Sequence, residues 1–286
     1  MVGATVTVPA KLADRAREIA AGRLSPAVAR DAATIMLLRQ APAVEVYLLR
    51  RTRVLDFAPG ACVFPGGSVD EGDADPAIGW AGPSAAEVAD RLGTSPARAR
   101  ALICAAVRET FEESGVLLAG SAPTVLVRDS AALAEDRQAL LEGTTSFGDL
   151  LGRLGLMLRA DLLTPWARWI TPEAAPRRFD TWFFAAPLPP GQTASLTAPA
   201  ERADRAGPTG AGESDAGIWW RPAEALESAR SGQITLVPPT AVTLGELAGY
   251  ENVTGVLAQR RAMKARMPTV MVNDHEAWLA MPATEL

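Results

Sequence analysis

The stretch "RETFEESGV", Arg108–Val116, decides how the rest of this sequence is read. It closes a run, "SPARARALICAAVRETFEESG", in which Ser95 suits a helix N-cap, Pro96 the first helical position and Gly115 the stop. The pattern predicts one long helix that ends in three glutamates. Glu109 lies three residues before Glu112 and four before Glu113, so the three carboxylates share one side of the last two turns. Each opposes the helix macrodipole there by about 0.3–1 kcal/mol, and like charges at this spacing repel by a few tenths more. A divalent cation would reverse the sign of all those terms, because converging hard oxygens are what Mg2+ or Mn2+ requires. The plainer alternative is a solvated acidic face, the usual fate of a lone Glu-Glu pair on a helix.

Upstream stands "FPGGSVDEGD", Phe64–Asp73. Its glycines, Gly66 and Gly67, would let backbone approach a metal or phosphate without a Cβ clash, or would simply form a turn. Between Asp73 and Arg108 lie 34 residues, 74–107. Loop-closure entropy grows only logarithmically with length, so an insertion of this size between a loop and a helix is thermodynamically tolerable.

Together the two stretches resemble the halves of a Nudix box, whose general form is Gly, five residues, Glu, seven residues, Arg-Glu-apolar-any-Glu-Glu-any-Gly-apolar. The second half matches at Arg108, Glu109, Glu112, Glu113, Gly115 and Val116, with Thr110 where an aliphatic residue is usual. In the first half, Asp73 stands six positions after Gly67, where the family has Glu. A subgroup of Nudix hydrolases carries an insertion inside its box, the group of the peroxisomal coenzyme A diphosphatases. The chain is similar to that subgroup through "LLRRTRVLDFAPGACVFPGG", "ICAAVRETFEESGVLL", "WARWITPEAAPRRFDTWFFAA" and "WWRPAEALESARSGQITLVPPT". Arg51, Gly60 and Phe64–Gly67 are in register with the motif that precedes the box in coenzyme A enzymes, whereas Asp56 occupies a position where many of them have Arg.

The resemblance implies a fold, a reaction and a set of residues. The fold expected is α/β, the Nudix α/β/α sandwich with a mixed sheet and added helical insertions. It forms a single domain over 1–286, with its core at about 30–250, insertions at 74–95 and about 128–160, and a helical extension at 240–286. The reaction expected is metal-dependent hydrolysis of a pyrophosphate bond, with coenzyme A or acyl-CoA giving 3',5'-ADP and (acyl-)4'-phosphopantetheine. Glu109 and Glu113 would be the principal ligands of Mg2+ or Mn2+, with Glu112 a third ligand or the carboxylate that orients water. The Gly66 carbonyl and Glu213, in "GESDAGIWW", would complete the metal set. Arg51, Gly60, Phe64 and Gly67 would meet substrate, and Arg108 with Asp73 would support the loop. The same chemistry could serve ADP-ribose, NADH or dinucleoside polyphosphates. A reading of another class is a nucleotide-sensing regulator without hydrolysis, against which stand the three retained glutamates.

Bulk properties agree with a globular enzyme. The 286 residues are 48% hydrophobic, enough for a sizeable core. With Lys+Arg 28 against Asp+Glu 33 the formal net charge is −5, so no overall positive field gathers nucleic acid or an anionic membrane. Phosphates must be met by local arginines, for which Arg50, Arg51 and Arg53 are candidates, or by metal. No secretory pattern opens the chain and no run approaches 18 apolar residues, while the closing Thr284-Glu285-Leu286 is not a peroxisomal tripeptide. A cytoplasmic protein is expected, with a small CoA-like nucleotide as partner, no nucleic acid and no membrane, a homodimer being the assembly left open. Cys62 and Cys104 are too few for a disulfide scaffold, and His275 is the sole histidine, which argues against Ser-His or Cys-His chemistry.

Periodicity and turn residues predict the remaining elements. Helices are expected at 10–22, 84–93, 130–142, 146–158, near 223–232, and near 240–249 and 251–265. Strands are expected at 33–39, 44–51, in "VLVRD" (125–129), at 178–188 and in "IWWRP" (218–222), with a loop at 197–217. Trp182, Phe183 and Phe184 are read as core, with an acyl or pantetheine channel as the alternative.

Overall fold

The structure is a computed structural model that describes residues 6–52, 60–196, 214–273 and 276–281. Strand β1 (Val6–Thr7) and helix α1 (Ala10–Ala20) open it. Two long strands follow, β2 (Ala29–Gln40) and β3 (Val44–Arg51), then the short β4 (Ala61–Val63) and β5 (Gly66–Ser68). A 3-10 turn (Glu71–Ala74), strand β6 (Trp80–Ala81) and helix α2 (Ala85–Leu92) fill the segment between the glycine loop and the long helix α3 (Pro96–Ser114). Beyond α3 come β7 (Ala119–Gly120), α4 (Ala134–Leu141), α5 (Phe147–Arg153), β8 (Met157–Arg159), β9 (Thr164–Ile170) and β10 (Arg178–Pro187). The chain continues through β11 (Ser214–Trp220), α6 (Pro222–Arg230), β12 (Thr235–Leu236), α7 (Pro238–Leu247), α8 (Val253–Leu257), β13 (Ala265–Arg266), β14 (Thr269–Val272) and β15 (Ala277–Ala280).

The principal sheet is mixed and runs β12-β4-β3-β2-β10-β9-β13, with β11 also on β3 and β5 also on β2. Its centre is the parallel pair β2 and β10, in register from Ala29 opposite Arg178 to Leu38 opposite Pro187. Strand β2 is buried on both faces because its alternate side chains enter two different cores. Ile35 and Leu37 join Trp182, Phe184 and the apolar side of α3, whereas Met36 and Leu38 join Phe183, Ala185 and residues of α6, α7 and α8. Near-continuous apolar strands covered by helices on both sides make an α/β/α sandwich. The Trp182-Phe183-Phe184 run is therefore core, buried throughout.

Three expectations about elements are corrected. The stretch at 240–286 is not a helical extension: after α8 it turns into β13, β14 and β15, and β15 pairs antiparallel with both β14 and the N-terminal β1. "VLVRD" forms no strand beyond an isolated bridge from Val125 to Ala122, and the helical reading of 146–158 ends at Arg153, where Met157–Arg159 is extended. Both cysteines are buried and unpaired. Among the described residues no helix is long and apolar enough to cross a membrane.

Candidate active site

Helix α3 begins as its sequence predicts: the Ser95 hydroxyl accepts the Arg98 N–H, Pro96 occupies the first turn, and the helix ends on Gly115 at φ 70°, a left-handed position that suits glycine. Its apolar side is pressed on the sheet, which carries Glu109 and Glu112 into the interior with it. Strand β5 is laid on β2 with Gly67 opposite Ala33 and Gly66 opposite Thr34. The approach is so close that a Cβ on Gly66 would meet Thr34 Oγ1 at 2.6 Å, and one on Gly67 would meet Glu109 Oε1 at 2.5 Å. The two glycines are thus required by contact, Gly67 by the box glutamate itself.

One arginine ties loop to helix. Arg108, 4% exposed, grips Asp73, 2% exposed, through Nε to Oδ1 at 3.0 Å and Nη2 to Oδ2 at 2.9 Å. It also donates to the Ser68 carbonyl at 2.8 Å, to Glu109 Oε1 at 2.8 Å and to Glu112 Oε1 at 3.3 Å. Asp73 in turn accepts the Asp70 N–H at 2.8 Å, closing a reciprocal capping box. The 34 residues between Asp73 and Arg108 therefore leave the chain and return to the same point. Glu113 reaches the loop separately, its Oε2 accepting the Gly66 N–H at 2.7 Å. The Gly66 group placed on a glutamate is thus its N–H.

The electrostatics follow from burial. Removal from water pushes the Glu109 carboxyl up to about 8 against the pull of Arg108, with Glu112 adding to the rise. Glu112 is raised for the same first reason, and Glu113 well above its ordinary value by burial and by Glu109, with the Gly66 N–H and Arg51 drawing it back. Glu109 Oε2 is buried without a hydrogen-bond partner. Among the described residues no three His, Cys, Asp or Glu side chains already enclose a cation-sized point. Arg108 holds one oxygen each of Glu109 and Glu112, and Gly66 holds one of Glu113. An orphaned carboxylate oxygen, three crowded acids and a cradle without Cβ atoms nevertheless suit a hard divalent ion.

Of the other residues singled out, Arg51 ends β3 within electrostatic reach of Glu113. Gly60, at φ 70°, turns the chain into β4. The Phe64 ring lies away from the glutamates. It is buried edge-on to Phe183 at 6.3 Å, in the core on the other side of the sheet from α3. Glu213, Arg53, Asp56 and His275 lie outside the described residues. Arg50 is paired with Asp215 on β11 at 2.7 Å. Two neighbours that sequence reasoning did not find are Tyr47 and Arg137, both interacting electrostatically with Glu113. A Cβ on Gly217 would land on the Tyr47 hydroxyl, so that glycine lets β11 pass over it.

Comparison with known proteins agrees with this construction. Residues 84–247 match the family model described as the NUDT19 Nudix domain. The match takes in α3 and its glutamates but not the glycine loop, whose attachment rests on the contacts above. The acyl-coenzyme A diphosphatase NUDT19 of Gallus gallus is 28% identical over 274 residues, covering 78% of this chain and 69% of that one. Its Homo sapiens counterpart is 29% identical over 247 residues, covering 72% and 61%. The chain thus spans roughly two thirds or less of those relatives. The solved NUDIX hydrolase from Alicyclobacillus acidocaldarius superposes with a TM-score of 0.67 at 26% identity, over 83% of this chain and 99% of that one. With more than half its length inside the matched domain, the chain belongs to the Nudix hydrolases, in the NUDT19 group.

Proposed function

We propose that this chain is a divalent-metal-dependent pyrophosphohydrolase that cleaves coenzyme A or its acyl esters to 3',5'-ADP and (acyl-)4'-phosphopantetheine. The observation that carries the metal-dependent reaction is the Glu109 carboxylate, buried against Gly67 with Oε2 unpartnered. The substrate is carried by similarity to relatives named acyl-coenzyme A diphosphatases.

Glu109, Glu112 and Glu113 would hold Mg2+ or Mn2+, with the Gly66 carbonyl and Glu213 as further oxygens. The ion would screen the phosphates and lower the pKa of the attacking water. The remaining work falls to the chain. Arg108 fixes Glu109 and Glu112 relative to each other and ties both to the loop through Asp73. Gly66 orients Glu113 by its N–H. Arg51, at the strand end within electrostatic reach of Glu113, would meet an anionic substrate, and one of the three glutamates, once deprotonated, would orient the attacking water.

The test is hydrolysis across a panel of coenzyme A, acetyl-CoA, ADP-ribose, NADH and a dinucleoside polyphosphate, with and without Mn2+ or Mg2+. Cleavage of the coenzyme A pair to 3',5'-ADP is expected. Turnover of ADP-ribose with none of coenzyme A would overturn the substrate while leaving the chemistry.

A further inference from the structure

The acidic helix ends in a way its own sequence does not provide for. Its last turn holds glutamates and no basic residue, so nothing within it balances the negative end of the macrodipole. Its last carbonyls need donors from elsewhere. Gly115 N–H reaches the Phe111 carbonyl at 2.9 Å, and Ser195 N–H, from far along the chain, reaches that of Ser114 at 2.8 Å. The carbonyl of Glu112 takes Nε of Arg137 at 3.0 Å.

Arg137 lies on α4, in the segment that follows the box, and is only 7% exposed. Its Nη1 comes so near the helix end that a Cβ on Gly115 would sit 2.9 Å from it. Gly115 therefore meets two demands, a left-handed backbone and room for a guanidinium. Nη2 is buried with no hydrogen-bond partner, and the charge acts on Glu113, Glu112 and Tyr47. Keeping a guanidinium inside with a donor unspent is costly, and helix capping alone would need only a neutral donor.

We propose that Arg137 is a positioning residue for the acidic site: from the segment after the box, its guanidinium closes the C-terminal end of α3 through the Glu112 carbonyl and supplies the positive charge that balances the negative helix end carrying Glu112 and Glu113. Its effect on turnover rests on the metal-dependent hydrolase reading; its effect on the helix end does not. Arg137 touches no reacting atom and acts through the glutamates.

The experiment compares Arg137→Gln, which keeps a donor but removes the charge, with Arg137→Lys, which keeps the charge. Leu140→Ala serves as control, because it loosens the packing of α4 and leaves the guanidinium. Amide exchange is followed over residues 109–117 of the metal-free protein, and kcat and KM are measured on coenzyme A with Mn2+. Arg137→Gln is expected to speed exchange at the helix end about tenfold while residues 100–107 keep their protection. It should lower kcat about tenfold with KM within threefold, and Arg137→Lys should restore most of both. Unchanged exchange in Arg137→Gln, or an equal kcat loss in Leu140→Ala, overturns the inference. Should the glutamine variant fail to fold, the lysine variant decides: kcat within threefold of the parent supports a role for charge, and a tenfold loss refutes it. An exchange effect in a protein that hydrolyses no nucleotide would support Arg137 as the closure of the helix and refute the functional reading instead.

Discussion

Replacing Asp73 by Asn removes one charge from the centre of the tie between loop and helix without changing its shape. In the native protein both oxygens of Asp73 are taken by Arg108, and neither side chain meets solvent appreciably. Breaking a buried pair from one side costs about 3–5 kcal/mol, because the other charge remains inside. Arg108 keeps Glu109 and Glu112 as hydrogen-bonded neighbours, so the lower end, about 3 kcal/mol, applies. Unfolding entropy of about 2.1 cal/mol/K per residue turns this into a fall in Tm of about 5 °C for a chain of this length. The same change leaves Arg108 drawn more firmly onto the two glutamates, so the stabilisation given by Mn2+ should shrink. Thermal unfolding with and without Mn2+ measures both effects, and Asp73→Glu, the residue the family has at this position, should recover most of the loss. A double-mutant cycle with Arg108→Gln isolates the pair, with a coupling of about 2 kcal/mol or more expected. An Asp73→Asn protein that melts within 1 °C of the parent, with no coupling in the cycle, would refute the claim that the separated halves of the box are joined through this pair.

Other perturbations probe the same site. Gly67→Ala should lower turnover by at least tenfold, because its Cβ would displace the Glu109 carboxylate it meets at 2.5 Å; a variant with parental kcat would contradict the close approach. Glu113→Gln should abolish the rise in Tm on adding Mn2+ and leave hydrolysis near background, and unchanged hydrolysis would remove Glu113 from the metal set. The metal-free protein should lose stability as pH rises from about 4.5 to 8. Glu109, raised to about 8, keeps its proton when folded over that window and has lost it when unfolded, so the native state binds more protons and the slope is negative, up to about 1.4 kcal/mol per pH unit. Saturating Mn2+ should flatten or reverse that slope, since ligands bind deprotonated; a metal-free protein whose stability rises over the same window would contradict the buried acid.

How much of this was legible beforehand depended on how local the signal was. Helix α3 is written in its own residues, with Ser95, Pro96 and Gly115 each at the position its chemistry favours, and the apolar runs of 33–39 and 44–51 mark the long strands just as directly. The pairing of Asp73 with Arg108 follows from the family pattern but not from distance along the chain, since 34 residues intervene and only the folded segment brings the two together. Arg137 gave no signal at all, because nothing local distinguishes an arginine that reaches back to Glu112 from one on a solvated helix face. The C-terminal strands were misread because β15 takes partners at both ends of the molecule, β14 and β1, and short strands paired over such distances carry little periodicity of their own. Phe64 was read toward substrate from its place in a motif, and its motif carried no sign that its ring would sit edge-on to Phe183 in the core.

The most direct test of the central claim is incubation of the purified chain with coenzyme A and Mn2+ in 18O-labelled water, with both products identified by mass. The account predicts 3',5'-ADP and 4'-phosphopantetheine in equal amounts, one of them carrying a single 18O, and no reaction once metal is chelated. Coenzyme A left intact in the presence of metal by a protein that cleaves ADP-ribose, or cleavage that persists after chelation, would contradict it.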